Sequence, residues 1–240
     1  VVAERAIGYK DAAEIFTVVI QVGAIAAVLW YYRHDLGERI SGLFRREKDT
    51  LAFWRNWIIA TIPASVAGLV LESKLSNVPT TAIAASLAIG GLLIWLIEEF
   101  HRSQPAVKQV QLEKISVKQS VQFGLYQILA LVPGVSRSGA TIMGGLLSGL
   151  DRVTATAFSF YLSLPILIMA GGLKLIKHHE LVSHVTGGSA GLIIATIAAF
   201  ITALTAITWL LKYVAHHNFK SFAYYRIILG LLILTVLWLK

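Results

Sequence analysis

Long apolar stretches with very few charges constrain this sequence more than any other feature. Only 14% of its 240 residues are charged, whereas soluble domains carry about 25%. A helix that crosses a bilayer needs roughly 20 apolar residues, and six stretches approach or exceed that length. We therefore predict an all-α polytopic membrane protein with six transmembrane helices, at residues 15–32, 56–71, 75–97, 153–173, 181–211 and 221–239.

A further apolar stretch, residues 119–150, does not fit a seventh span. It contains a single charge, Arg137, and is interrupted by Pro133 and Gly134. Proline lacks a backbone donor and glycine weakens a helix, so the stretch breaks into two halves that are each too short to cross. Irregular backbone inside a membrane is tolerated only where it lines protein or water. We predict a re-entrant helical hairpin.

The distribution of basic residues supports this topology. Residues 33–55, 98–120 and 212–226 together hold thirteen Lys and Arg side chains, whereas the alternate loops hold three: Lys74, Lys174 and Lys177. The positive-inside rule places the richer loops in the cytoplasm, provided that 119–150 returns to its own side. The net charge of +8 is accordingly ascribed to loops that face anionic membrane lipids, and nucleic acid is not expected as a partner.

Residues 13–28 align without gaps with residues 155–170, and the predicted topology runs these helices in opposite senses. This is typical of inverted-repeat folds, in which the site lies near the middle of the membrane. We predict one integral membrane domain over 1–240, comprising a first-repeat remainder (1–100), a cytoplasmic connection (101–118) and a second repeat (119–240). A hairpin matching 119–150 is expected before residue 13.

The break itself resembles an anion cradle. A central arginine costs roughly 2.5–3.5 kcal/mol on insertion scales, and Asp151 is too far along the chain to neutralise it. Glycines would let the backbone approach a ligand, hydroxyls would donate to it, and a helix starting around 138–141 would direct free N–H groups at it. The predicted phosphate or pyrophosphate site comprises Gly134, Ser136, Arg137, Ser138, Gly139 and Thr141.

Other polar residues have simpler explanations. Gly144, Gly145 and Gly149 are predicted to permit close helix packing, and Gln21 either joins helices or supports the site. The histidines, Glu98 and Glu99 are interpreted as loop or interfacial residues, although paired carboxylates could bind Mg²⁺. The sequence identifies no metal ligands.

The segment VPGVSRSGAT (132–141) closely resembles the second signature of the undecaprenyl-pyrophosphate phosphatases, the bacitracin-resistance family. The resemblance extends to FTVVIQVGAIAAV (16–28) and AFSFYLSLPI (157–166). It implies a multi-pass enzyme of the bacterial cytoplasmic (inner) membrane that releases the terminal phosphate of undecaprenyl pyrophosphate. That reaction recycles the lipid carrier for peptidoglycan synthesis, and so serves cell-wall biogenesis, cell shape and resistance to bacitracin.

By the same resemblance, Arg137 binds the pyrophosphate, Ser136 and Thr141 line its pocket, and Gln21 matches a family Gln-x-Gly. Position 17, often acidic in the family, is Thr17 here. The family's first signature, which supplies Glu, His and a candidate Ser nucleophile, is absent and is expected upstream of Val1. These 240 residues are therefore expected to lack part of the active site.

We further expect a divalent ion, Mg²⁺ or Ca²⁺, at the phosphates, no organic cofactor, and a homodimer as one form of assembly. The alternative function is a non-enzymatic inverted-repeat transporter or flippase of a phosphorylated lipid or anion, because such folds also place anion sites at mid-membrane.

Overall fold

The computed structural model describes residues 15–75, 78–102, 110–177 and 188–239, which are mostly helical and contain no strand. A short 3-10 helix, Leu112–Lys114, precedes the hairpin. The α-helices of the described residues are α1 (Ile15–Tyr31), α2 (Arg33–Phe44), α3 (Lys48–Leu75), α4 (Thr80–Arg102), α5 (Val117–Leu129), α6 (Arg137–Leu147), α7 (Arg152–Lys177), α8 (Gly188–His216) and α9 (Lys220–Trp238).

Five of these helices, α3, α4, α7, α8 and α9, are long and apolar enough to cross a membrane. Helices α1 and α2 are bent by 71° relative to each other, and they supply a sixth crossing if the bent pair forms one span. The prediction of an all-α polytopic membrane protein is confirmed. Residues 181–187, predicted to begin the fifth span, and 103–109 of the predicted connection lie outside the described residues.

The predicted loop 33–55 is wrong, because most of it is helical. It forms α2 and the first turns of α3, separated by a turn in which the N–H of Glu47 donates to the carbonyl of Gly42 at 2.9 Å. Asp35 and Arg39 lie one turn apart on α2, with Nε and Oδ2 3.1 Å apart. Ion pairs at this spacing support a helix whose composition alone indicates a loop.

The chain divides into two compact units, residues 1–41 with 163–210 and residues 42–162 with 211–240. In the first unit, α1 and α8 cross closely, since a Cβ at Gly23 would collide with the carbonyl of Thr196. Small residues at such a crossing are typical of helix packing in membranes. The division into two repeats with a single domain stays a prediction.

In the second unit, α4 and α9 run antiparallel and touch through small residues. A Cβ at Gly91 would lie 2.8 Å from the carbonyl oxygen of Ala223, and one at Gly230 would lie 2.8 Å from that of Ala84. The first arm of the hairpin, α5, packs on α3 where a Cβ at Gly124 would meet the ring of Pro63. Helix α3 thus contacts the first arm of the hairpin, while α4 and α9 pack on each other.

Helices α5 and α6 are the two arms of the predicted hairpin. A contact at the ends farthest from the break closes it. The Nε2 of Gln119 at the start of α5 donates to the carbonyl of Ser148 at the end of α6, at 3.0 Å. Gln119 also completes a capping box with Ser116. The segment therefore returns to the end at which it began, as predicted.

The glycines of α6 have different roles. A Cβ at Gly144 would overlap the ring of Tyr126, and one at Gly145 would press on Phe123, so both permit close packing as predicted. The packing prediction for Gly149 is wrong. This residue adopts φ +82° with open space around it, and the N–H of Leu150 donates to the carbonyl of Gly145 at 3.0 Å. Gly149 thus ends α6 in a Schellman turn.

Candidate active site at the hairpin break

The break between α5 and α6 is a series of tight turns centred on Pro133 and Gly134. Gly134 adopts φ +95°, a conformation that favours glycine. A Cβ there would also collide with the carbonyl of Ile83 on α4. A Cβ at Gly139 would similarly lie 3.1 Å from that of Ser136. The contacts of both glycines are with protein, and the predicted close approach of a ligand to them stays a prediction.

Helix α6 begins at Arg137, one residue earlier than predicted, because Ser136 caps it. The hydroxyl of Ser136 accepts from the N–H of Gly139 at 3.1 Å and lies 3.2 Å from the hydroxyl of Ser138. The N–H groups of Arg137 and Ser138 have no hydrogen-bond partner in the described part of the chain. Two free donors, two hydroxyls and the positive end of the helix dipole therefore meet at the break.

The guanidinium of Arg137 projects from this helix start. It is half-buried and makes no hydrogen bond or ion pair with any of the residues that the structure describes. Asp151, the nearest acid along the chain, lies at the opposite end of α6, where its carboxylate accepts from the N–H groups of Val110 and Thr154 at 2.9 Å. The sequence predicts that Asp151 does not neutralise Arg137, and this arrangement confirms the prediction.

Thr141 lies one turn inside α6 and is almost completely buried, with 1% of its surface exposed. Its hydroxyl donates to the carbonyl of Arg137 at 2.9 Å and approaches that of Ser138 at 3.3 Å. The donor proton is thus used within the helix. These contacts stabilise the first turn of α6 from its buried side. The predicted place of Thr141 in the substrate pocket stays a prediction.

Two residues near the break, Arg226 and Gln127, were not predicted from the sequence to belong to the site. Arg226, counted among the loop charges, lies within α9 and donates from Nη2 to the carbonyl of Gly134 at 2.9 Å. Gln127 on α5 is buried, and neither its Nε2 nor its Oε1 has a partner within the described ranges. An arginine in the apolar stretch 221–239 and an amide in an apolar hairpin arm were the available signals.

The predicted interfacial position of Glu98 and Glu99, at the end of a span, stays a prediction, but Glu98 is not exposed. Its side chain is fully buried, accepts from Nε of Arg152 at 3.1 Å, and accepts from the N–H of Phe219 at 3.0 Å. Glu99 instead pairs with Lys220. Because the two carboxylates serve different cations, they do not form a metal-binding pair.

The remaining predictions concern Gln21 and the histidines. Gln21 is half-buried on α1, in the first unit. His178, His179 and His184 lie outside the described residues, and within the described ones no three His, Cys, Asp or Glu side chains cluster as metal ligands do. The donors at the break fit an anion and do not themselves hold a divalent cation, so an ion at the phosphates would need other ligands.

The family model of the bacitracin resistance protein BacA matches residues 1–232. Undecaprenyl-diphosphatase 1 of Paraburkholderia xenovorans is 43% identical, with 98% of this chain and 86% of the relative aligned. Undecaprenyl-diphosphatase of Deinococcus deserti is 44% identical, with 95% of this chain and 82% of the relative aligned. Undecaprenyl-diphosphatase of Methylobacillus flagellatus is 40% identical, with 95% of this chain and 85% of the relative aligned.

The family match includes the hairpin break with its unpaired arginine and capped helix start, and the similarity of the relatives extends over nearly the whole chain. The chain belongs to the bacitracin resistance protein BacA family.

Proposed function

We propose that this protein hydrolyses undecaprenyl pyrophosphate to the monophosphate and inorganic phosphate. One observation carries the proposal. The guanidinium of Arg137, which has no acceptor among the described residues, and the free N–H groups lie together at the start of α6. A half-buried cation without a protein acceptor is stabilised when an anion supplies one. The names of the relatives identify a diphosphate of this lipid as the anion, and α6 offers donors suited to it.

The described residues bind the diphosphate and stabilise charge. Arg137 can contact two phosphate oxygens through its planar fork, while the N–H groups of Arg137 and Ser138 donate from the helix axis. Charge spreads over the oxygens of the transferred phosphoryl group during hydrolysis, so fixed donors at these positions lower its barrier. Ser136 holds the helix start in this orientation through its hydrogen bond to Gly139.

The nucleophile and the acid–base groups are proposed to come from the first family signature, in accordance with the resemblance described above. A divalent ion, Mg²⁺ or Ca²⁺, is proposed to accompany the phosphates. Removing divalent ions with a chelator should abolish activity, and adding back either ion should identify which of the two is used.

The test is release of phosphate from undecaprenyl pyrophosphate by the full-length gene product in detergent. Arg137→Ala should lower kcat/KM by at least about 100-fold, as is usual when a preorganised charge-stabilising donor is lost. Ser148→Ala is the matched control, because its hydroxyl donates to the carbonyl of Gly144 at the far end of α6. Substrate binding or transbilayer movement without phosphate release would instead favour the transporter alternative.

Two further points belong to this proposal. We place the protein in the bacterial cytoplasmic membrane, with the break facing outward according to the basic loops. Fractionation of inner and outer membranes tests the location. A homodimer is the proposed assembly, and the mass of the detergent-purified protein by light scattering decides between one copy and two.

A further inference from the structure

We propose that Arg226 is a positioning residue of the phosphate site. It fixes the hairpin break through the carbonyl of Gly134 and so sets the direction in which α6 and Arg137 face. This inference rests on the proposed function for its activity readout, and it goes beyond that function by assigning a role to a charge on a different helix.

The contact itself is specific. Nη2 of Arg226 donates to the carbonyl oxygen of Gly134 at 2.9 Å, across 92 residues of sequence. A Cβ at Gly90 would lie 2.7 Å from the same Nη2. Glycine on α4 therefore leaves the space through which the arginine reaches the break. Arg226 is half-buried, and hydrogen bonds from charged donors are about twice as strong as neutral ones.

The carbonyl of Gly134 needs such a partner. The residue lies at φ +95°, outside any helix, so α5 and α6 provide no N–H for its carbonyl oxygen. On one side Gly134 packs tightly on α4 at Ile83 and Ser86. Arg226 on α9 supplies the second support, and together they hold a backbone conformation that the local sequence alone would not fix.

The position of the contact links it to the site. Gly134 precedes the capping residue Ser136 by two positions and Arg137 by three. The break has few other tethers, since the N–H of Val135 donates only to the carbonyl of Val132 within the same turn. Releasing Gly134 should therefore let the cap and the first turn of α6 reorient, while the far end of the helix stays closed by Gln119 and Ser148.

The first measurement is hydrogen–deuterium exchange of the full-length protein without substrate. Arg226→Met should speed exchange of amides in residues 131–139. The exchange rates of amides in residues 142–147, in α4 and in α9 should stay unchanged. Arg226→Lys, which retains one charged donor, should restore slow exchange in part. Thr235→Ala is the control on the same helix, because that hydroxyl is exposed and donates to the carbonyl of Leu231 in its own helix.

The second measurement is steady-state hydrolysis by the same variants. Arg226→Met should lower kcat/KM by about 10- to 100-fold, the range expected for loss of one hydrogen bond from a charged donor, and Arg226→Lys should recover part of it. Lost activity with unchanged exchange would make Arg226 a direct phosphate ligand and overturn the proposal. Faster exchange throughout the protein, unchanged activity, or no change in either measurement would also overturn it.

Discussion

The two ends of the same hairpin differ in how their polar groups are satisfied. At the base, Gln119 pairs with Ser148, and Glu98 holds Arg152 and the backbone of Phe219. At the break, Arg137 and two N–H groups face no acceptor among the described residues. Unpaired polar groups are costly in apolar surroundings, so such an uneven distribution indicates that the base is built for rigidity and the break for a ligand.

The largest expected effect is at the base. Glu98→Ala removes a buried carboxylate and leaves Arg152 without its partner, which should cost about 3–5 kcal/mol of stability. Thermal unfolding in detergent should show a markedly lower Tm. Lys220→Met, which removes the more exposed ion pair with Glu99, is the control and should change stability by no more than about 1 kcal/mol. Equal effects of the two would contradict the rigid-base interpretation.

A matched pair of glycines compares the ends directly. Gly149→Ala should destabilise by about 1–2 kcal/mol, because it places a side chain at positive φ in open space. Gly134→Ala adds a collision with the carbonyl of Ile83, so its loss should be larger. It should also lower phosphate release, whereas Gly149→Ala should leave kcat/KM within about twofold. If both variants lose activity equally, the site is not confined to the break.

A smaller effect on stability is expected at Arg137. Arg137→Met removes a cation that has no acceptor within the described residues, so the free energy of unfolding should change by less than about 1 kcal/mol or should rise. Tm without substrate measures this. Stabilisation by added inorganic pyrophosphate should disappear in the variant. A large loss of Tm without ligand would show that Arg137 is structural.

The smallest perturbation tests the orientation of the hairpin. The 240 residues contain no cysteine, so a single Ser138→Cys or Lys118→Cys reports on its own surroundings. In intact spheroplasts, a membrane-impermeant maleimide should label residue 138, which is exposed at the break, and should not label residue 118 at the base. The reverse pattern would overturn the orientation deduced from the loop charges.

Local sequence features were sufficient to predict much of this molecule. Apolar length identified the spans, Pro133 with Gly134 located the break, and Ser136 before Arg137 lay within one residue of the predicted helix start. Prediction failed where pairing changes the meaning of a residue. The charged segment 33–55 is largely helical, with an internal ion pair in α2, and the burial of Glu98 against Arg152 was not evident from neighbouring residues.

The sequence by itself determined the helical membrane fold, the hairpin and the cation at its break, because these depend on hydrophobicity, chain length and backbone chemistry within short windows. Only the tertiary structure decided that Arg226 supports Gly134, that Gln119 closes the hairpin and that Thr141 is buried behind the first turn of α6. Such partners depend on which helices pack together across tens of residues. Hydrophobic periodicity does not specify that packing.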